Sequence, residues 1–148
     1  AVIGVGNLLY GDDAAGVHAA RVLLGAELPP GVEVIEGGAL GLDLLDFLTA
    51  YGSVIVIDAA DMGLTPGEVK VFRPDEVRSL KIGEALSLHS TDILGVIELG
   101  RTLGETMADV YVVGVQVESV GPREGLSEAV AAAVEKAAAT AKAIAEGL

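Results

Sequence analysis

Residues 2–17 read Val-Ile-Gly-Val-Gly-Asn-Leu-Leu-Tyr-Gly-Asp-Asp-Ala-Ala-Gly-Val, and this stretch constrains the fold more than any other. It opens as an apolar strand, passes through a glycine/asparagine turn that bulky residues resist, and reaches a helix start carrying two carboxylates. Strand, glycine turn and helix start is how open α/β folds build ligand sites. The usual ligand there is a phosphate, held by bare N–H groups at the positive helix end. Here Asp12 and Asp13 occupy that end and repel an anion, and Leu9 stands where a dinucleotide fingerprint needs its third glycine. The turn is therefore expected to serve a cation or a polar peptide group. The alternative for either aspartate is a helix cap.

The rest of the chain extends the same pattern. A first helix is predicted over 12–25, with Val17, Ala20, Arg21 and Leu24 on one face. Pro29-Pro30-Gly31 breaks the chain before a short second strand, Val32–Ile35. Glu36-Gly37-Gly38 then turns into a helix over Leu40–Leu48. Ser53–Ile57 is a wholly apolar third strand ending at Asp58. Residues 58–67 have no helical period and are too short for the helical crossover that parallel pairing needs. The strand Glu68–Phe72 is therefore expected to be antiparallel and at an edge. A helical turn at Pro74, a loop over Lys81–Ser90, a helix over Thr91–Leu103 capped by Ser90 or Thr91, a strand over Asp109–Gln116 and a loop over Val120–Glu124 follow. Leu126, Val130, Val134, Ala137, Ala141 and Ile144 form the apolar stripe of a final helix, with Gly125 or Ser127 at its start. The sum is one α/β domain over 1–148: a three-layer sandwich around a five-stranded, twisted, mostly parallel sheet with an antiparallel edge strand and helices on both faces.

Composition narrows the function. A net charge of −13 argues against nucleic acid and anionic membrane surfaces as partners, because phosphate binding needs clustered Lys and Arg. No apolar run is long enough to span a bilayer, and residues 1–6 carry no basic region or cleavage site, so no membrane segment or secretory signal is expected. The chain has no cysteine, which removes disulfides, thiol nucleophiles and thiolate metal sites and fits a cytoplasmic protein.

In a doubly wound sheet the first and third strands are neighbours, and the ligand crevice opens at their carboxyl ends. Asp13 follows the first of these ends and Asp58 closes the other. Of the two histidines, His18 lies inside the first helix and reads as a surface or core-edge residue, whereas His89 lies in a loop before a helix. Two carboxylates and one imidazole suit a divalent transition ion with open coordination positions. Ser87, Ser90 and His89 are neighbours, but no nucleophile elbow accompanies them. Asn7 and the pair Gly37-Gly38 are positions where a peptide chain is expected to approach the backbone closely.

Gly-Val-Gly-Asn-Leu-Leu-Tyr-Gly-Asp-Asp at 4–13, Asp-Ala-Ala-Asp-Met-Gly-Leu-Thr-Pro-Gly-Glu at 58–68 and Leu-His-Ser at 88–90 resemble the hydrogenase maturation endopeptidases. The resemblance runs in order to Gly-Val-Gln at 114–116, and its middle motif is most similar to members serving formate-hydrogenlyase hydrogenases. It implies a peptidase that trims the C-terminal extension of a nickel–iron hydrogenase large-subunit precursor. It also implies Asp13, Asp58 and His89 as metal positions, with Asp13 and Asp58 as the catalytic carboxylates. The metal so implied is nickel, delivered by the precursor and replaceable by zinc or cadmium in crystals, and the expected enzyme is a monomer. Two departures stand out: Ala14-Ala15-Gly16 follows the acidic pair where members commonly carry glycine directly, and Asp13 replaces a frequent glutamate, shortening the ligand's reach. Two other classes stay open: a non-catalytic nickel-binding module with the same crevice, and a flavodoxin-like phosphate-compound domain, against which the aspartate pair argues.

Overall fold

The computed structural model describes residues 1–79, 87–88 and 93–148. In chain order the elements are β1 (Val2–Val5), α1 (Ala15–Leu24), β2 (Val34–Gly38), α2 (Leu44–Ala50), β3 (Ser53–Asp61), β4 (Val69–Phe72), α3 (Pro74–Ser79), β5 (Ser87–Leu88), α4 (Ile93–Thr102), β6 (Asp109–Gln116) and α5 (Glu128–Glu146). Short 3-10 turns at Gly11–Ala14 and Gly41–Asp43 lead into α1 and α2.

Side-chain alternation along β3 sets the layers. Ile55, Ile57 and Ala59 enter one core and Val54 and Val56 the other, as a period of two requires when both faces are covered. The first core is closed by α1 and α5 through Ala15, Ala19, Leu23, Val130, Ala137 and Ala141. The second is closed by α2 and α4 through Leu44, Leu48, Ile93, Val96 and Ile97. Each buried aliphatic side chain contributes roughly 1.5–3 kcal/mol, so this nearly ring-free interior rests on many modest terms.

The sheet path is β2-β1-β3-β6-β4. Its first three pairings are parallel, and β4 pairs antiparallel with β6 at the edge, as the short connection from β3 predicts. One detail matters for the site. β1 pairs with β3 only as far as Ile57, whereas β3 runs on to Asp61. The edge thus left open at Ala60 and Asp61 is taken by β5, antiparallel, through Leu88 and Ser87.

Several boundaries differ from the sequence reading. β2 starts later and absorbs Glu36-Gly37-Gly38, because pairing of Gly4 with Glu36 and of Val5 with Gly38, across a bulge, overrides the local turn preference of glycine. β3 continues through Asp58, since β6 pairs with it there via Gly114, Val115 and Gln116. Residues 87–88, within the expected loop, form a strand. The proposed caps Ser90 and Thr91 lie outside the described residues, and α4 is described from Ile93. Asp12 and Asp13 belong to the 3-10 turn, not to α1. The buried face of α1 is Ala15, Gly16, Val17, Ala19, Ala20 and Leu23, while Arg21 pairs with Glu36 at the surface and Leu24 is exposed. The helix is clasped by the sheet and by α5, so Val17 and Leu23 are buried along with its small residues, while Arg21 and Leu24 point out.

Two glycines make that clasp possible. A Cβ on Gly4 would lie 2.1 Å from the Gly16 carbonyl oxygen, and one on Gly16 would lie 2.1 Å from the carbonyl of Ile57 and 2.5 Å from that of Val5. Backbone of the first helical turn therefore rests directly on β1 and β3. Gly16→Ala is expected to cost at least about 3 kcal/mol, the upper end of overpacking penalties, because the obstructing atoms are main chain. Gly52→Ala, whose Cβ meets nothing within 4 Å, is expected to unfold like the wild type. Urea titration of the two variants checks this.

Candidate functional site

The close approach of α1 delivers the 3-10 turn Gly11–Ala14 to the carboxyl edge of the sheet, where it packs on β3. Three carboxylates result, each with a different environment. Asp12 is fully buried and accepts hydrogen bonds from the backbone N–H groups of Glu118 (2.9 Å), Ser119 (3.0 Å) and Ser127 (2.7 Å) and from the Ser127 hydroxyl (2.8 Å). The Arg123 guanidinium approaches to 3.9 Å. Burial pushes this carboxyl up, but the donors from Ser119, Ser127 and Glu118 outweigh it and hold its pKa below the ordinary carboxylate value. Asp12 is thus the staple that joins the β1–α1 turn to the β6–α5 loop. It does not cap a helix. Ser127 stands at the N-cap position of α5 but spends its hydroxyl on Asp12 instead of on its own helix.

Asp13 is 4% exposed. Its Oδ2 accepts from the Asn7 N–H at 2.9 Å, whereas its Oδ1 is buried and receives no hydrogen bond. A buried carboxylate oxygen lacking a donor is costly, and such atoms mark places where a cation or a polar ligand completes the site. Asp58 is fully buried in β3, beside Gly114 of β6 and on the strand parity of Val54 and Val56. The two predicted aspartates therefore occupy contacting elements at the open end of β1. His89 lies outside the described residues; the strand that ends at Leu88 pairs with Ala60, just beyond Asp58. Among the described residues no cluster of three or more acidic or imidazole side chains forms that could hold a metal ion. His18 is on α1, with its pKa lowered by burial and by Arg21.

Asn7 is exposed, its side-chain oxygen accepting from the Leu9 N–H (2.9 Å) to shape the turn. Gly37 and Gly38 end β2, and the Gly38 carbonyl accepts from Gly6 N–H at 3.0 Å, so the end of β2 lies beside the turn that begins at Asn7.

Gln116 escaped the sequence reading as a site residue. It is buried, and its Oε1 accepts from the N–H groups of Met62 (2.7 Å) and Leu64 (3.2 Å) while its Nε2 donates to Asp61 Oδ1 (3.3 Å) and to the Val117 carbonyl (3.0 Å). It thereby fixes the segment leaving β3. The available signal was one amide closing an otherwise apolar strand at the carboxyl edge.

Comparison with known proteins gives a consistent picture. The sequence profile of the hydrogenase maturation protease family matches residues 17–144. Hydrogenase expression/formation protein HoxM of Azotobacter vinelandii is 35% identical over 92% of this chain and 67% of its own length. Hydrogenase 2 maturation protease of Escherichia coli K12 is 34% identical, covering 92% of this chain and 84% of that protein. The solved structure of the E. coli hydrogenase maturating endopeptidase HybD superimposes with a TM-score of 0.83 at 32% identity, over 99% of this chain and 91% of that one. The Thermococcus kodakarensis HybD structure gives a TM-score of 0.77 at 26% identity, covering 97% of each chain.

Two outcomes separate staple from site. Asp12→Ala strands several buried donors and is expected to lower stability by at least about 3 kcal/mol, while Asp13→Asn, which removes a buried charge, should leave the unfolding midpoint unchanged or raise it. Thermal unfolding of both variants measures this. The depressed folded pKa of Asp12 also fixes a sign for acid: its contribution is complete above the unfolded carboxylate value of ~3.9 and is lost as pH falls through the lower folded value. Asp12→Ala should therefore flatten the stability–pH curve in that window.

Proposed function

The chain belongs to the hydrogenase maturation protease family, a group of peptide hydrolases, and we propose that its substrate is the precursor of a nickel–iron hydrogenase large subunit, from which it removes the C-terminal extension. Nickel already loaded in the precursor is the feature recognised, and Asp13, Asp58 and His89 are the groups that engage it. The observation that carries this reading is the buried Asp13 Oδ1, an acceptor without a donor on an element packed against the strand of Asp58. Hard carboxylate oxygens with one imidazole form a donor set that nickel accepts and that leaves positions for the precursor's own ligands. Zinc and cadmium are expected to enter the same set. Such an ion supplies charge that polarises a nearby carbonyl.

The protein's own part is positioning and proton transfer. Asn7 N–H holds Asp13 Oδ2, leaving Oδ1 as the oxygen that receives no hydrogen bond. With no cysteine and no serine nucleophile elbow in the chain, the nucleophile is water. A site carboxylate takes its proton as oxygen adds to the scissile carbonyl, and the proton passes to the departing amine as the carbon–nitrogen bond breaks. Gly37, Gly38 and the Asn7 turn border the crevice along which the extended substrate lies. The setting is the cytoplasm, and the enzyme works as a monomer on one precursor. Among the described residues no helix is long and apolar enough to cross a membrane.

The test is the size of a large-subunit precursor on a gel, with nickel-loaded and nickel-free substrate in parallel. Loaded precursor should be trimmed and nickel-free precursor left intact at any enzyme concentration. Asp13→Asn, Asp58→Asn and His89→Ala should each reduce trimming of the loaded form by at least about 100-fold, the usual scale for losing a positioned acid–base group. Efficient trimming of verified nickel-free precursor would refute the recognition mechanism and leave the peptidase standing.

A further inference from the structure

Among the described residues, four of the nine exposed large hydrophobic side chains lie on loops at the carboxyl edge of the sheet: Leu9 (60% exposed) and Tyr10 (45%) after β1, Leu42 (67%) after β2 and Val120 (38%) after β6. Their backbones are pinned. Leu9 N–H is held by Asn7 Oδ1, Tyr10 N–H by the Asn7 carbonyl at 3.1 Å, and Gly11 N–H by the Arg123 carbonyl at 2.8 Å. The Val120 loop is bound to the same turn through Asp12, which accepts from Ser119 N–H while its own N–H donates to the Ser119 carbonyl. The β2 end joins through Gly6 N–H and the Gly38 carbonyl. These apolar groups cannot fold back into the core, yet displaying them costs hydration free energy. The charges beside them have one dominant sign. Asp43, Glu118 and Glu124 on the carboxyl-edge loops and Asp61 at the end of β3 are exposed, and Arg123 is the one basic residue on the described parts of those loops.

We propose that Leu9, Tyr10, Leu42 and Val120 form a docking rim for an apolar stretch of the precursor polypeptide flanked by Lys or Arg, laid across the carboxyl edge so that the scissile bond reaches Asp13. This rests on the peptidase reading above. Three features select a polypeptide segment of that chemistry. The rim is continuous with the crevice, because Asp13 N–H donates to the Tyr10 carbonyl at 3.2 Å and Asp13 Oδ2 is bound by Asn7. Apolar knobs presented from three loops suit the side chains of an extended chain. The acidic surround complements cations and repels an acidic peptide. The rim thus supplies binding that does not change during reaction, which acts on KM and leaves kcat alone.

The experiment measures trimming of the loaded precursor against its concentration for wild type, Leu9→Ser/Tyr10→Ser, Leu42→Ser and Val120→Ser. Leu24→Ser serves as control, on a helix end away from these loops and 57% exposed. Leu9→Ser/Tyr10→Ser should raise KM about tenfold, the effect of truncating buried interface side chains, with kcat retained and the melting temperature unchanged. The single-loop variants should raise it less, and added salt should raise KM for the wild type. Unchanged KM in the rim variants, with the wild type active, overturns the docking rim alone. A shift in oligomeric state at constant KM assigns the rim to a second copy of the chain and overturns it as well. A wild type that cuts no precursor removes the peptidase reading and the rim together.

Discussion

The carboxyl edge of this protein depends on main chain touching main chain. At Gly4 and Gly16 the first turn of α1 rests on β1 and β3 with no room for a single extra carbon. The constraint is steric and therefore short-ranged, but its consequence reaches the whole site. Lifting the helix by the thickness of a methyl group would move the Gly11–Ala14 turn with it. Asp12 would then leave the amides of Glu118, Ser119 and Ser127, and Asp13 would leave Asn7.

Adjacent residues carry opposite roles within that turn. Asp12 meets donors on several sides and is electrostatically content, so its negative charge works as glue between two loops distant in sequence. Asp13 is nearly as buried but is bound on one oxygen only. Within the turn, the first carboxylate is satisfied on both oxygens and the second on one, so the unused acceptor of the pair is Asp13 Oδ1.

The crevice itself follows from unequal strand lengths. β3 outruns β1, so its last residues have an open edge on the side where the β1–α1 turn descends. β5 takes part of that edge, and Gln116 ties down the segment that leaves β3. The hydrogen bonds of Gln116 and Asp12 therefore fix two separate segments at the carboxyl edge, the chain leaving β3 and the β6–α5 loop.

The amino-acid sequence by itself determined the layers of this protein, and it put Asp13 after β1 and Asp58 on the third strand. Alternating and helical periodicities are local, and the apolar Val54–Ile57 run, the Asp109–Gln116 strand and the α5 stripe act through nearest neighbours along the chain. The short passage from β3 to β4 likewise forced antiparallel pairing through chain length alone. Tertiary structure decided what local preference had left open or opposed. Pairing with β1 drew Gly37 and Gly38 into β2, pairing with β6 carried β3 past Asp58, and two-sided packing turned Arg21 and Leu24 outward. It also separated Asp12 from Asp13, identical neighbours in sequence, because only the folded chain brings the amides of Glu118, Ser119 and Ser127 to one of them. A carboxylate's role is set by the donors around it, and those donors lie more than a hundred residues away along the chain.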